Sequence, residues 1–251
     1  MSILCLQQKN RIIRAVVCTV IFLLYTTSTI TTTIANKEKK VLVTGGMGNI
    51  GKYLVKELLG MGYSVICMDI QNLTSPDMVE LYRGSNASFY SMFYEFVRMD
   101  IRDLDGWYNL LRMEKPSING IIHLAAVSRV SFCLDNELDC RDINERGTQV
   151  ITDAVAKYVA SGGKKPWLIF ASSREIYGES CLPGSPCNEV SPPQPLNLYG
   201  ETKLIGERIL EGTNKIFEGR IVIRLASVYG GLYDQPERFA HVQYTFFEEA
   251  F

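Results

Sequence analysis

The sequence predicts a doubly wound α/β fold, in which helices cover both faces of a parallel β-sheet. Two observations indicate this fold class. Short apolar runs alternate with amphipathic helical stretches from residue 40 onward, and a glycine-rich turn separates the first run from the first helix. Continuously apolar strands need cover on both faces, and helical crossovers between parallel strands provide it. We therefore expect a Rossmann-type sheet that binds its ligands at the carboxyl ends of the strands.

Six apolar runs are interpreted as buried strands, because each is brief, rich in β-branched or aromatic residues and bounded by turn residues. They are residues 41–43, 64–68, 96–99, 121–124, 167–170 and 221–223. Three stretches carry apolar residues at helical spacing and are predicted to be helices. They are residues 49–59, 144–158 and 199–210. Residues 71–92 and the proline-rich residues 178–198 are expected to be connections.

Composition narrows the class of protein further. A chain of 251 residues suggests one or two domains, and 47% hydrophobic with 21% charged residues is typical of a globular protein. The 26 Lys and Arg residues balance 27 Asp and Glu residues, so the basic excess of a nucleic-acid-binding protein is missing and no nucleic-acid partner is expected. Only two histidines, His123 and His241, are present, which argues against a histidine-rich zinc centre, and no metal is expected.

The first 35 residues have the pattern of a targeting segment. Basic residues precede an apolar run at 15–25, and small residues follow at 33–35. This order predicts a cleaved secretory signal peptide and a location in the ER or Golgi. A membrane anchor is the alternative, since residues 15–35 carry no charge, although their many Thr and Ser residues make a poor membrane span. An organelle transit peptide and a cytoplasmic location stay open.

The seven cysteines include no C-x-x-C pair that would indicate a zinc or redox motif. Cys67 lies in an apolar run and is expected to be a small core residue. Cys181 and Cys187 flank a loop rich in Pro and Gly, and a disulfide between them is the hypothesis for an oxidising compartment. Two unpaired thiols are the alternative.

A glycine-rich turn, residues 44–51, follows the first predicted strand and opens the first predicted helix. Such glycines permit a sharp bend and let backbone N–H groups approach a pyrophosphate at the positive end of the helix. Asp69 ends the second predicted strand, 18 residues beyond Gly51. A carboxylate there accepts hydrogen bonds from the adenosine ribose and repels a 2′-phosphate. The turn and the acid together predict dinucleotide binding, with NAD preferred over NADP.

Tyr199 and Lys203 stand at i and i+4, on one face of the last predicted helix. A lysine cation stabilises a phenolate, so this pair suits removal of a proton from an alcohol. Ser172 and Ser173 follow the fifth predicted strand, at the sheet edge where this fold places its chemistry. A serine hydroxyl there suits hydrogen bonding to the reacting oxygen, and capping of the strand end is the alternative role.

These motifs together resemble those of the NAD-dependent sugar epimerase/dehydratase family, the extended short-chain dehydrogenases/reductases. The motifs that carry the resemblance are the glycine loop, Asp100-Ile101, His123-Leu124-Ala125-Ala126, Asn144 with Gly147-Thr148, Ser173 to Tyr177, Tyr199 with Lys203, and residues 224–230. The resemblance implies Ser173, Tyr199 and Lys203 as catalytic residues. The expected NAD-binding residues are Gly45, Gly48, Asn49, Ile50, Gly51, Asp69, Asp100, Ile101, Leu124, Ala125, Ala126, Asn144 and Lys203.

Within that family the sequence is most similar to 4-epimerases of the UDP-glucose type. Sugar dehydratases are expected to carry an Asp–Glu pair after the strand-end hydroxyl residue, and this chain has Arg174 followed by Glu175. Ser227 stands where many epimerases have an Asn that holds the sugar nucleotide. The leading hypothesis is epimerisation of a nucleotide sugar, a UDP-hexose, through a transient keto-sugar. The alternatives are a one-way dehydrogenase of another alcohol and a cofactor-binding protein without turnover.

The expected domain organisation places an NAD-binding Rossmann domain at residues 40–230. Members of the family generally continue well beyond this point with a small domain that grips the nucleotide sugar. Residues 231–251 are therefore expected to be the start of a truncated substrate-binding domain. The resemblance also implies a homodimer for a full-length chain.

Overall fold

Six strands form one sheet in the computed structural model of the chain, which describes residues 39–72, 94–181 and 187–228. The strands are β1 (Lys40–Thr44), β2 (Ser64–Asp69), β3 (Tyr94–Arg98), β4 (Ile118–His123), β5 (Trp167–Ser173) and β6 (Arg220–Leu225). Each coincides with one of the six predicted strands, differing by a few residues at the ends. The chain divides into two units after Arg224, and the unit ending there carries the features described below.

The strand order is β3-β2-β1-β4-β5-β6, and every strand pair with a defined register runs parallel. The chain order reverses between β1 and β4, which is the switch point where a doubly wound sheet opens a crevice for its ligand. At this point Thr44 ends β1 directly beside Met68 on β2 and His123 on β4. The predicted doubly wound sheet is therefore confirmed.

Six α-helices belong to the described residues. They are α1 (Gly51–Gly60), α2 (Leu104–Met113), α3 (Val130–Asp135), α4 (Glu137–Arg141), α5 (Gly147–Ala160) and α6 (Leu198–Glu211). The three predicted helices correspond to α1, α5 and α6. A π-helical segment, Asp142–Arg146, precedes α5, so the regular helix begins three residues later than the predicted boundary at 144.

Side-chain caps explain where two of these helices begin. The Asp103 carboxylate accepts a hydrogen bond from the Gly106 N–H at 2.9 Å and caps α2. The Asn197 amide oxygen accepts one from the Gly200 N–H at 2.8 Å and caps α6. Each cap satisfies an N–H group that the first helical turn leaves without an intrahelical partner. The cap on α6 fixes the start of the helix that carries Tyr199.

The main apolar core lies between the sheet and the helices that pack against it. Leu42, Ile66 and Ile121 from three neighbouring strands pack in one buried cluster with Trp107 of α2 and Ile151 of α5. Burying each such side chain contributes about 1.5–3 kcal/mol. This core holds the carboxyl ends of the central strands in fixed positions, and the loops that follow them build the site.

One disulfide was not anticipated from the sequence. Cys133 of α3 and Cys140 of α4 are bonded, with their Cα atoms 5.1 Å apart. Cys67 is buried and forms no disulfide, as the sequence predicts for a small core residue. Cys187 is also disulfide-bonded, but the side chain of Cys181 lies outside the described residues. The Cys181–Cys187 pairing stays a prediction.

Several sequence-based predictions fall outside the described residues. They concern the targeting segment at 1–35, most of the connection at 71–92, and the domain start at 231–251. In the portions of the chain that are described, none of the helices has the length and apolar character needed to cross a membrane.

Candidate active site

The glycine loop between β1 and α1 is packed too closely to admit side chains at two positions. Gly45 has a φ of +65°, and a Cβ atom there would lie 2.8 Å from the backbone nitrogen of Ala125. A Cβ atom on Gly51 would lie 2.2 Å from the Gly45 carbonyl oxygen. No side chain caps the start of α1. The loop therefore brings bare backbone to the N-terminus of a helix, the geometry that accepts a pyrophosphate.

Asp69 joins the end of β2 to this loop. One carboxylate oxygen accepts a hydrogen bond from the Met47 N–H at 3.0 Å, and the other accepts one from the Gln71 N–H at 3.1 Å. The carboxylate is thereby fixed beside the glycine loop, with 9% of the residue exposed. An acceptor at this place suits the ribose hydroxyls of NAD and disfavours a 2′-phosphate.

The Thr44 hydroxyl connects β1 to the segment after β4. Its oxygen accepts hydrogen bonds from the backbone N–H groups of Leu124, at 3.2 Å, and Ala125, at 3.1 Å. Because that oxygen is accepting twice, its own proton is available to His123 Nδ1, which lies 2.8 Å away. The predicted cofactor residues Leu124 and Ala125 are thus tied to the start of the glycine loop.

His123 continues this chain of hydrogen bonds to α5. With Nδ1 accepting, Nε2 carries the proton and donates it to the Thr148 hydroxyl at 3.2 Å. The Thr148 hydroxyl in turn donates to the Asn144 carbonyl oxygen at 2.7 Å. Burial, together with the positive charge of Lys203, lowers the pKa of His123 to about 3. The imidazole is therefore neutral at physiological pH, and its role is to hold the switch point together.

Asn144 was predicted to contact the cofactor, and the structure shows it bonded within the protein. Its amide oxygen accepts from the Val127 N–H at 2.8 Å, and its amide nitrogen donates to the Val127 carbonyl and to the Thr202 hydroxyl, each at 3.0 Å. Asn144 therefore fastens the segment that follows Ala126 onto α6. A direct contact between Asn144 and NAD stays a prediction.

Asp100 and Ile101, also predicted cofactor residues, follow β3. The Asp100 carboxylate forms a two-point ion pair with the Arg102 guanidinium at 2.9 and 2.6 Å, and this contact holds the pKa of Asp100 below its usual value. The Ile101 side chain is buried in the main core and lies against Gly147 at the start of α5. Their contact with a cofactor is likewise a prediction.

Tyr199 and Ser173, two of the predicted catalytic residues, meet at the carboxyl end of β5. The Ser173 oxygen accepts from the Glu175 N–H at 3.2 Å, which leaves its hydroxyl proton for Tyr199. Burial raises the pKa of Tyr199 above its ordinary value, the Ser173 hydrogen bond lowers it, and the nearby Glu175 carboxylate raises it. The phenol is therefore a proton donor at neutral pH unless positive charge is added beside it.

Lys203, the third predicted catalytic residue, supplies a buried cation one helical turn from Tyr199. Its ammonium donates to the Ala171 carbonyl oxygen at 2.9 Å and lies 6.0 Å from the centre of the Tyr199 ring. Burial lowers the pKa of Lys203 to about 8, so the side chain is protonated in most molecules at neutral pH. The structure thus brings all three predicted catalytic residues into one cluster.

Two residues of this cluster were missed at the sequence level. Asn197 caps α6 and also donates to the Glu175 carboxylate at 3.0 Å. Glu207 is buried on α6 and accepts from Ser172. A sequence signal existed for both of them. Asn197 is a favoured capping residue two positions before the predicted helix, and Glu207 follows Lys203 by four residues, on the same helical face.

The fold and the site together define a dinucleotide-binding protein in which Tyr199, Lys203 and Ser173 lie in one cluster. Residues 41–248 match the model of the NAD dependent epimerase/dehydratase family, and the chain belongs to that family. This confirms the resemblance inferred from the motifs, and NAD is the cofactor of the family.

Curated relatives with similar sequences include several epimerases. UDP-glucose 4-epimerase 4 of Oryza sativa subsp. japonica is 34% identical over 178 residues, which cover 70% of this chain and 45% of the relative. A putative UDP-glucose 4-epimerase of Methanocaldococcus jannaschii is 34% identical over 194 residues, 76% of this chain and 56% of the relative. The chain spans about half the length of the curated relatives it matches.

Solved structures of similar fold carry the expected ligands. UDP-glucose 4-epimerase of Thermotoga maritima with UDP-glucose has a TM-score of 0.67 at 27% identity, covering 84% of this chain and 62% of that one. The UDP-glucose 4-epimerase of Thermus thermophilus in complex with NAD has a TM-score of 0.60 at 28% identity, covering 74% and 54%.

Proposed function

We propose that this chain carries out the epimerisation of a nucleotide sugar, with a UDP-hexose as substrate and NAD as cofactor. The observation that carries the proposal is the convergence of Tyr199, Ser173 and Lys203 at the carboxyl end of β5. The family and the epimerases among its relatives support the same reaction class.

The glycine loop and Asp69 fit the cofactor. Side chains are excluded at Gly45 and Gly51, so a pyrophosphate can come close to the backbone at the start of α1. Asp69 is oriented by Met47 and Gln71, where an acceptor suits the adenosine ribose. When bound there, NAD would supply a hydride acceptor and the positive charge of its nicotinamide ring.

Tyr199 is the residue that moves the proton. In the forward step its phenolate oxygen accepts the proton of the sugar hydroxyl, while the carbon-bound hydrogen leaves as hydride and a carbonyl forms. The Ser173 hydroxyl donates a hydrogen bond at the same centre and holds the reacting oxygen. In the return step Tyr199 gives the proton back, so the protein ends in its starting protonation state.

Lys203 makes this proton transfer feasible. Its ammonium donates a hydrogen bond to the carbonyl oxygen of Ala171 in β5. The positive charge, which lies 6.0 Å from the centre of the Tyr199 ring, favours the phenolate form of Tyr199. Burial and the Glu175 carboxylate oppose the phenolate. The Lys203 cation is therefore needed for Tyr199 to act as a proton acceptor near neutral pH.

The test is product analysis with the full chain, NAD and a panel of UDP-, GDP- and dTDP-sugars, followed by NMR of the sugars. We expect two epimers of one UDP-hexose to interconvert without net formation of NADH. Tyr199→Phe should lower the rate by about 100-fold or more, because general acid–base catalysis of this kind contributes about 10²–10⁴-fold.

Tyr108→Phe provides the matched control, because Tyr108 lies on α2 and its ring contacts Lys157 and Arg112. The control should keep full activity. If the unaltered chain retains NAD but converts none of the sugars, the proposed reaction is wrong and a cofactor-binding role replaces it. Accumulation of NADH in proportion to product would indicate a one-way dehydrogenase.

A further inference from the structure

Helix α6 and the end of β5 are joined at three successive points, two of which belong to the proposed reaction centre. Three consecutive β5 residues each have a neighbour on α6, two of them through a direct hydrogen bond, and the α6 neighbours are spaced four residues apart, on one helical face. The pairs are Ser173 with Tyr199, Ala171 with Lys203, and Ser172 with Glu207. The third pair has no part in the proposed proton transfer, although it lies on the same face.

Glu207 is the most constrained member of this set. One carboxylate oxygen accepts from the Ser172 hydroxyl and from Arg224 Nε at 3.1 Å, and the other accepts from Arg224 Nη2 at 2.8 Å. The residue is 8% exposed. The Glu207 carboxylate raises the pKa of Arg224, so the guanidinium keeps its positive charge.

Arg224 is itself held from two further directions. Its Nη1 atom donates to the Tyr177 hydroxyl at 2.8 Å and to the Glu189 carbonyl oxygen at 3.1 Å. The guanidinium also lies 4.9 Å from the centre of the Tyr177 ring. The Glu207 carboxylate is therefore anchored to β6 and to the connection between β5 and α6, as well as to Ser172.

An ion pair with a buried carboxylate contributes little to stability by itself, because the loss of hydration offsets much of its attraction and apolar side chains of similar size often stabilise a fold as well. Its advantage is geometric: a forked guanidinium and a carboxylate fit together in one arrangement. A shift of α6 by a single residue along its axis, about 1.5 Å, would break that arrangement. The same shift would carry Tyr199 away from the Ser173 hydroxyl.

We propose that Glu207, held by Arg224, is a positioning residue that fixes α6 along the end of β5 and so keeps Tyr199 within hydrogen-bond reach of Ser173. The inference takes the roles of Tyr199 and Ser173 from the proposed function. Its test needs no sugar turnover, so failure of the proposed reaction and failure of this inference are separate results.

The test measures how far Ser173→Ala shifts the pKa of Tyr199, with Glu207 in place and with Glu207 replaced. The full chain is labelled with 3-fluorotyrosine, and the Tyr199 signal is assigned by its loss in Tyr199→Phe. Its titration is followed by ¹⁹F NMR, since fluorine brings the phenol pKa to a lower pH. In the unaltered chain, Ser173→Ala should raise the pKa of Tyr199, because the Ser173 hydrogen bond lowers it.

In the Glu207→Gln background, we expect Ser173→Ala to shift the titration by less than about half as much, since coupled neighbours are non-additive. Glu211→Gln is the matched control, because it makes the same change on the next turn of α6 at an exposed position. The Ser173→Ala shift should be fully retained there. An equal shift in the Glu207→Gln and Glu211→Gln backgrounds would overturn the inference.

A second variant covers the case in which Glu207→Gln does not fold. Ser172→Ala removes the hydroxyl donor to Glu207 and leaves both members of the ion pair in place. It should also weaken the effect of Ser173→Ala on the Tyr199 titration, whereas Ser172→Thr, which keeps a hydroxyl, should restore it. If Ser172→Ala leaves the effect of Ser173→Ala unchanged, Glu207 does not act on Tyr199 through β5, and the inference is wrong.

Discussion

Among single residues, Lys203 has a proposed role that lowers the stability of the fold, because that role requires a buried positive charge. Its ammonium is buried in the cluster and makes a 2.9 Å hydrogen bond to the Ala171 carbonyl oxygen. Burial lowers its pKa from 10.5 to about 8. The folded chain therefore binds a proton at this site less tightly than the unfolded chain does, and charging the lysine at neutral pH works against folding.

Replacing this cation should stabilise the chain. We expect Lys203→Met to raise the free energy of unfolding at pH 7 by about 2 kcal/mol. Removing the buried charge gains roughly 3 kcal/mol, the equivalent of the lowered pKa, and losing the hydrogen bond to Ala171 costs about 1 kcal/mol. Between pH 8 and 10.5 the folded lysine has released its proton while the unfolded one has not, so the unaltered chain gains stability with rising pH. The advantage of Lys203→Met should disappear over that range.

Urea unfolding at pH 7 and pH 10 measures this effect, with Lys157→Met as the control because Lys157 is exposed on α5. The control should show no comparable gain. A Lys203→Met variant that is less stable than the unaltered chain at both pH values would contradict the burial argument. Tyr199 should lose its role as a proton acceptor in the same variant.

The sequence predicted the candidate catalytic residues better than the residues that hold them. Ser173, Tyr199 and Lys203 were predicted from the Tyr–Lys spacing, the serines at the end of a strand and the resemblance to the family, and the structure brings them together. The hydrogen bonds of His123 and Glu207 depend on which side chains face each other across the fold. That information comes from packing between distant segments, which the spacing of residues within one segment does not contain.

At the scale of the element, α6 organises the reaction centre. Its buried side packs against β5, Lys203 on that side bonds to Ala171 near the end of the strand, and Asn197 fixes its first turn. The Asn197 side chain performs two functions, because its oxygen caps the helix and its nitrogen binds the Glu175 carboxylate. The position of Tyr199, two residues after the cap, depends on both contacts.

The cap can be separated from the second contact by two substitutions. Asn197→Ala should lower the free energy of unfolding by about 1 kcal/mol, because it removes the acceptor for the Gly200 N–H. Asn197→Ser keeps an acceptor for the cap, so we expect it to lose less than about half as much. Urea unfolding of both variants gives the comparison, and equal losses would show that the cap is not the stabilising contact.

The sequence predicted the strands and three amphipathic helices from their apolar patterns, but three other helices of the described residues were missed. The apolar runs of the six strands are unambiguous and were all found. Helix α2 was overlooked, although Asp103 provides a cap and Trp107 and Leu111 lie four residues apart on its buried face. Helices α3 and α4 are too short for periodicity, and the Cys133–Cys140 bond between them depends on how the chain turns there.

At the scale of the whole molecule, the sheet topology assembles the site from segments far apart in sequence. The crossing from β3 back to β4 places Ala125 against Gly45, and the end of β5 lies beside α6, where Lys203 bonds to Ala171. His123 lies between these two regions, bonded to Thr44 and influenced by the charge of Lys203. The fold thus places the glycine loop and the proposed reaction centre along one edge of the sheet.

In the proposed reaction a hydride leaves the sugar carbon and returns to the same carbon on its opposite face. This is tested with UDP-glucose that carries deuterium at C4, incubated with the full chain and NAD, with the products followed by NMR. We expect UDP-galactose that keeps its deuterium at C4, with NAD still oxidised at the end. Exchange of that deuterium for solvent hydrogen, or reduced cofactor formed in proportion to a keto product, would contradict the proposed reaction.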